Sequence, residues 1–152
     1  MTTTTTTPPE TVARLEQLAR EIRTSIVSML ENARSGHSAG PLGMADLMAA
    51  LYGGAMRHRP DDPAWAERDV FLLSNGHTAP VLYAAMAHTG YFPVEELSTL
   101  RRWGTRLQGH PERLSLPGVE ASSGPLGEGL SQGAGMAQVF QSLDKTPTGG
   151  ST

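Results

Sequence analysis

Cysteine is missing altogether from this 152-residue sequence. Its absence excludes disulfides, thiolate metal ligands and a cysteine nucleophile, and is compatible with a cytoplasmic location. Long apolar runs are missing too, since none approaches the roughly 18 residues that a transmembrane helix requires. The N-terminus lacks the basic-then-apolar order of a signal peptide. The sequence therefore predicts a cytoplasmic protein without a membrane partner.

The chain also lacks an excess of charge of either sign. Its 12 basic and 15 acidic side chains are well mixed and give a formal net charge of −3. This pattern offers neither the basic surface that nucleic acid requires nor a polybasic membrane patch. A length of 152 residues allows one domain at most, which is short for a complete enzyme of two or more domains.

Two helical segments are predicted in the first third of the chain. Apolar residues recur every three or four positions over 12–33, between a capping box that begins at Thr7 and a glycine cap at Gly36. A second helix is predicted from Pro41 to about Met56. Residues 1–8 are rich in threonine and predict a disordered tail, and residues 142–152 predict a flexible one. The predicted domain therefore covers residues 9–141.

One β-strand is predicted, over residues 70–73. This run is continuously apolar, as in strands that are buried on both faces of a parallel sheet. A helix is expected to follow from about Thr78 to Gly90. His77 would then lie between the carboxyl end of a strand and a helix N-terminus, where α/β folds bind ligands. The predicted fold class is α/β, mostly helical with part of a parallel sheet.

Residues 122–140 combine a Gly-Pro break with helical spacing of apolar residues and an unusual number of glycines. Gly127, Gly129, Gly133 and Gly135 are predicted inside this helix, where each costs about 1 kcal/mol relative to alanine. Close approach of another backbone would offset that cost, and so would a phosphate that needs bare N–H groups. The segment matches neither a Walker loop nor a Rossmann fingerprint. Both explanations stay open at this point.

The five histidines fall into two groups. His37, His77 and His110 each follow a glycine in a predicted loop, whereas His58 and His88 lie at or near predicted helix ends. Three similar settings in one small domain predict a shared polar pocket. The spacing does not match the tight local patterns of zinc ligands, so metal coordination by these three side chains is disfavoured.

Five short motifs carry a resemblance to a known family. They occur at Ser35-Gly36-His37 with residues 40–46, at Arg68-Asp69 with residues 73–77, at residues 89–91, at Gly109-His110-Pro111-Glu112, and at residues 124–127 leading to 135–137. In this order they resemble the N-terminal part of the thiamine-diphosphate domain of transketolase, over residues 15–137. The resemblance implies an incomplete thiamine-diphosphate-binding (transketolase-like) α/β fold.

The resemblance also implies roles for individual residues. His77 would contact the cofactor diphosphate, while His37 and His110 would face the reacting ketose. The backbone of three residues would lie against the cofactor: Gly124, Pro125 and Leu126. The cofactor carries the carbanion chemistry, and the protein supplies orientation, proton transfer and hydrogen bonds. The family reaction moves a two-carbon ketol unit from a ketose phosphate to an aldose phosphate.

The sequence departs from the family pattern at three places. His37 is followed by Ser38-Ala39 instead of Pro-Gly, and Glu128 replaces a common glutamine, which adds a carboxylate near the expected diphosphate. The family's Gly-Asp-Gly motif, whose aspartate helps to hold the divalent ion, does not occur. Ligands for Mg²⁺ are therefore expected from a partner chain.

These features lead to three hypotheses. The chain is one piece of a split transketolase-type enzyme that binds sugar phosphates, is inactive alone and needs complementary subunits for the metal and the full cofactor site. Alternatively, it is a non-catalytic, truncated relative that docks on a complete subunit through its glycine helix. The third hypothesis is an unrelated phosphate-binding module that depends on His77.

Overall fold

The computed structural model describes residues 7–144. Within that range the chain forms five α-helices, a π-helical turn and two 3₁₀ turns. In chain order these are α1 (Pro9–Ala33), α2 (Ala39–Gly43), α3 (Ala45–Ala50), the π-helical turn (Leu51–Ala55), a 3₁₀ turn (Gly76–Thr78), α4 (Ala79–His88), a 3₁₀ turn (Val94–Thr99) and α5 (Glu128–Asp144). None of these helices is long and apolar enough to cross a bilayer.

Helix α1 spans the range that its apolar periodicity predicts, but both predicted caps are wrong. The N-cap residue is Pro8, which has no side-chain hydrogen bond to offer, so the capping box does not form. At the other end Arg34 adopts the left-handed conformation (φ 50°), and its amide donates to the Glu31 carbonyl oxygen. The helix therefore ends at Ala33, three residues before Gly36, and the left-handed φ of 123° at Gly36 belongs to the loop that follows.

The second predicted helix forms as three short pieces, α2, α3 and the π-helical turn. The break between α2 and α3 falls at Met44, whose amide is shared between the carbonyl oxygens of Gly40 and Pro41. The last piece is held against α1 because Arg14 donates to the Gly53 carbonyl oxygen at 2.8 Å. The periodicity located the segment correctly, but the small residues within it let the backbone change pitch.

The core is centred on α4, which is buried from Ala79 to Ala87. It packs against α1 and α3. Ile22 and Ile26 of α1 and Met48 of α3 are fully buried in the same cluster. Burial of such side chains contributes about 1.5–3 kcal/mol each. This three-helix core holds the loop that precedes α4 in a fixed place.

The prediction of a β-strand over residues 70–73 is not supported by the structure. Among the described residues this segment has no regular secondary structure, and no β-strand occurs elsewhere in the range 7–144. An apolar segment becomes a β-strand only when it forms ladder hydrogen bonds with a neighbouring strand, and the described residues provide no such neighbour. The parallel sheet therefore remains a prediction without support, and the described fold is helical.

Helix α5 confirms the predicted glycine-rich helix with two differences. Gly127 lies before the helix, with φ 92°, and not inside it. The helix also continues to Asp144, beyond the predicted domain boundary at residue 141. The rest of the two predicted tails, residues 1–6 and 145–152, lies outside the described residues.

Candidate functional site

The loop after α1 packs on the turn that begins α4. The rings of His37 and His77 make an edge-to-face contact, with 5.0 Å between their centroids. A β-carbon at Gly40 would lie 2.9 Å from Cγ2 of Thr78 and 3.8 Å from Nε2 of His77. The small residue at position 40 thus permits this approach. The structure brings together two of the three predicted loop histidines.

The loop at residues 122–124 packs against the same turn from another direction. A β-carbon at Gly76 would lie 2.5 Å from the carbonyl oxygen of Ser123, so only glycine fits at this contact. The Ser123 amide in turn donates to the Pro111 carbonyl oxygen at 3.2 Å. This loop therefore links the turn of His77 to the segment that follows His110.

His110 joins the site through Gly124. A β-carbon at Gly124 would lie 3.8 Å from Cδ2 of His110, which is an ordinary van der Waals distance. The segment before His110 is anchored to the core because the buried Tyr83 hydroxyl donates to the Gln108 carbonyl oxygen at 2.9 Å. His110 also lines an open cleft of about 560 Å³. That cleft does not include His37 or His77, so the three imidazoles border one region without sharing one enclosed pocket.

Hydrogen bonding separates the loop histidines from the other two. His58 bonds the Tyr52 carbonyl oxygen and the Tyr91 hydroxyl, and His88 bonds the Ser25 hydroxyl. Over residues 7–144, the three loop imidazoles have no hydrogen-bond partner in the protein; they are His37, His77 and His110. Their ring nitrogens are thus available to a ligand. The division into two groups that the sequence predicts is reflected in these bonds.

The glycines of α5 have different environments. A β-carbon at Gly129 would lie 2.6 Å from Cβ and 2.8 Å from Cα of Ser74, while the Gly129 amide donates to the Ser74 hydroxyl at 3.2 Å. Gly133 faces the Leu72 side chain, whereas a β-carbon at Gly135 would meet nothing within 4 Å. Close approach of another backbone therefore accounts for Gly129. It does not account for Gly135 within the described part of the chain.

Two acidic residues adjoin the loops of the site in the sequence: Glu112 and Glu128. Glu112, next to Pro111, accepts hydrogen bonds from the Ser115 hydroxyl and the Leu114 amide, which hold its pKa below the ordinary value. Glu128 is exposed in the first turn of α5. Within the described residues, no group of three or more histidine, aspartate or glutamate side chains is arranged to hold a metal ion.

A family model described as "Transketolase, thiamine diphosphate binding domain" matches residues 15–148. The chain belongs to the transketolase family. The motifs that carried the resemblance are therefore family motifs, and the interpretation as an unrelated phosphate-binding module is wrong. The match includes every residue that forms the contacts between the loops of His37, His77 and His110.

Individual transketolases give the same result. The chain is 44% identical to the transketolase of Buchnera aphidicola over 129 residues, which are 84% of this chain and 19% of that protein. It is 43% identical to transketolase 2 of Escherichia coli over 129 residues, which are again 84% of this chain and 19% of that protein. It therefore spans about a fifth of these relatives.

Solved transketolase structures match the fold. A complex of the Pichia stipitis transketolase with sedoheptulose-7-phosphate superposes with a TM-score of 0.78 at 39% identity, and the match covers 82% of this chain and 18% of that one. The Campylobacter jejuni transketolase gives a TM-score of 0.76 at 35% identity, covering 82% and 20%. The described helices thus have the arrangement of the corresponding transketolase segment.

Thiamine diphosphate, which the transketolase family implies, fits one side of this site. Ser123 Oγ is buried and has no hydrogen-bond partner among the described residues, and it lies beside the turn of His77. A buried hydroxyl without a partner is costly unless a ligand or water satisfies it. Together with the free imidazoles of His37 and His77, it provides polar groups for a diphosphate. Metal ligands are not part of this set.

Two residues that lie beside these loops have no signal in the sequence: Ser123 and Arg101. The buried, unpartnered hydroxyl of Ser123 follows from the packing of its loop on Gly76, which only the structure reveals. The guanidinium of Arg101 lies against Gly109, next to His110. Its left-handed backbone (φ 60°) has no signature in the sequence.

Proposed function

We propose that this chain forms one wall of the thiamine-diphosphate site of a transketolase-type enzyme that moves a two-carbon ketol unit between sugar phosphates. The single observation that supports this most is the contact between the His37 and His77 rings, which carry free nitrogens beside the loop of Ser123. The transketolase family implies a cofactor whose diphosphate would accept hydrogen bonds from these polar groups. A cytoplasmic location belongs to the same proposal.

Each group has a distinct task in this proposal. His77 and the Ser123 hydroxyl donate hydrogen bonds to the diphosphate, and the backbone of residues 124–126 lies along the cofactor. Bound thiamine diphosphate supplies a thiazolium carbon that stabilises negative charge during carbon–carbon bond cleavage. His37 and His110 face the sugar, where an imidazole exchanges a proton with a hydroxyl or carbonyl oxygen.

Two surfaces support the need for complementary transketolase polypeptide. The segment 70–73 is half-buried for three of its four residues but has no ladder partner in the described range. Five large apolar side chains at α5 are more than 40% exposed: Leu126, Leu130, Val139, Phe140 and Leu143. A partner chain that covers these surfaces would also bring the Mg²⁺ ligands and the remaining cofactor contacts. In this proposal the chain is one subunit of a split enzyme and is inactive alone.

Thermal denaturation with thiamine diphosphate and Mg²⁺ tests the proposal. The lone chain should show no appreciable stabilisation. Mixed with the complementary segment of a transketolase, it should gain about 2.7 kcal/mol at a hundredfold excess of cofactor over Kd. His77→Asn should abolish this gain, whereas the matched variant His88→Asn should retain it, because His88 bonds Ser25 away from the site. A large shift for the lone chain would refute the need for a partner.

The exposed apolar face of α5 also favours a second candidate function. In that case the chain is a non-catalytic partner that docks on a complete transketolase subunit through α5. Both candidates predict co-purification with a transketolase subunit. Removal of this chain distinguishes them, because activity should be lost for the split enzyme and unchanged for the non-catalytic partner.

A further inference from the structure

Arg101 lies between the two loops that carry His37 and His110. A β-carbon at Gly109 would lie 3.0 Å from Nε, 3.1 Å from Cζ and 3.2 Å from Nη2 of Arg101, so the guanidinium lies flat against that glycine. A β-carbon at Gly36 would lie 3.4 Å from Nη1 of the same side chain. One guanidinium therefore contacts both glycines that directly precede the sugar-facing histidines.

The backbone of Arg101 is held in an unfavourable conformation to reach this place. Its φ of 60° is left-handed, which is uncommon for a residue with a long side chain. The Arg101 amide donates to the Leu107 carbonyl oxygen at 3.0 Å and closes the loop between them. Leu100 and Leu107 are buried and fix both ends of that loop. Strain that is maintained by its surroundings in this way is typical of functional sites.

Stability does not account for the Arg101 side chain. The residue is exposed, and its guanidinium has no hydrogen bond or ion pair to any residue in the described range. Arg106, a few residues on, is by contrast paired bidentately with Glu96. A planar guanidinium also differs from an ammonium group because it packs by its face while its donors stay available at the edge.

We infer that Arg101 is a positioning residue, which sets the placement of the His37 loop relative to the His110 loop. The inference rests on the proposed function, in which these two imidazoles face the sugar. The guanidinium separates the two loops at a fixed distance, because it contacts Gly36 on one side and Gly109 on the other. Both positions carry glycine, which allows the side chain to lie against the backbone itself.

The test is to remove the guanidinium while keeping the backbone conformation. Arg101→Asn does this, since asparagine tolerates the left-handed region. Arg102→Asn is the matched control on the adjacent exposed arginine, because the atoms nearest to both glycines do not belong to Arg102. Gly109→Ala is an independent variant, because its new methyl group displaces the flexible end of Arg101 without deleting it. Arg101→Lys restores the charge but not the planar group.

The first measurement uses the full chain alone, by two-dimensional NMR of the imidazole nitrogens. Arg101→Asn and Gly109→Ala should shift the ring signals of His37 and His110 and leave those of His58 and His88 unchanged. Arg102→Asn should shift none, and Arg101→Lys should restore the signals only in part. Unchanged His37 and His110 signals in Arg101→Asn would overturn the inference. Equal shifts of all histidines would also overturn it, because they indicate a general loosening of the fold.

The second measurement uses the complex of this chain with its complementary transketolase segment. Misplacement of sugar-facing groups should lower kcat/KM by up to about 100-fold for Arg101→Asn, with little change for Arg102→Asn. Equal activity of the two variants would overturn the inference. If the complex binds no cofactor, the proposed function fails, whereas the imidazole signals of the lone chain still decide the role of Arg101.

Discussion

Alanine at Gly129 and alanine at Gly135 should change stability in opposite directions, although both glycines lie inside α5. Alanine gains up to about 1 kcal/mol over glycine in a helix interior. At Gly135 nothing within 4 Å of the new β-carbon opposes this gain. We therefore expect Gly135→Ala to raise the free energy of unfolding of α5 by about 0.5–1 kcal/mol.

At Gly129 the same gain is outweighed by a collision. The new β-carbon would lie 2.6 Å from Cβ and 2.8 Å from Cα of Ser74, and a Cα cannot rotate out of the way. Overpacking of this kind costs about 1–3 kcal/mol. Any shift of α5 also lengthens the 3.2 Å hydrogen bond from the Gly129 amide to the Ser74 hydroxyl. We expect Gly129→Ala to lower stability by up to about 2 kcal/mol.

The assay combines thermal denaturation with amide hydrogen exchange of α5, because a peripheral helix opens locally as well as with the whole chain. For a chain of this size 1 kcal/mol corresponds to a shift of about 2–4 °C in Tm. Gly133→Ala serves as a control, since its β-carbon would lie 3.4 Å from the flexible Leu72 side chain and should have a small effect. Equal protection of α5 in Gly129→Ala and Gly135→Ala would refute the packing of Gly129 on Ser74.

Three other predictions concern the supports of the site. Glu120→Gln should lower the free energy of unfolding by about 1–3 kcal/mol in urea denaturation, because it weakens a half-buried bidentate pair with Arg68. Arg106 holds the pKa of Glu96 below its ordinary value, so this pair stabilises the chain above about pH 4.3 and loses its effect as the pH falls further. Arg106→Met should therefore flatten the loss of stability measured between pH 5 and pH 3. Tyr83→Phe removes the hydroxyl that anchors the loop before His110. It should lower the free energy of unfolding by about 0.5–1.5 kcal/mol and speed amide hydrogen exchange in that loop.

The helices were predictable because their signals are local. Periodic apolar residues located α1, and the apolar run after Thr78 located α4. Glycine next to histidine located the three loops, because glycine permits close contacts such as that of Gly76 with the Ser123 backbone and that of Gly109 with the Arg101 side chain. These features depend on a few neighbouring residues, which is the range over which a sequence pattern is informative.

Features that depend on distant parts of the chain were not predictable. The apolar run 70–73 indicated a strand, but an apolar run specifies burial and not a ladder partner. Arginine disfavours the left-handed conformation that Arg101 adopts. That conformation depends on the hydrogen bond that closes its loop onto Leu107. The contact of Gly129 with Ser74 joins residues 55 positions apart. In each case tertiary packing decided the local conformation.

Helix α5 turns its large apolar side chains away from the rest of the described chain. Its buried residue is Gly129, while Leu130, Val139 and Phe140 are exposed. An amphipathic helix ordinarily buries its large apolar side chains, because each contributes about 1.5–3 kcal/mol when removed from water. Here Gly129 allows the inner side of α5 to approach Ser74 closely, and the large apolar side chains lie on the outer side. In the proposed complex, a partner surface that covers those outer side chains would therefore stabilise α5 and the loop that precedes it.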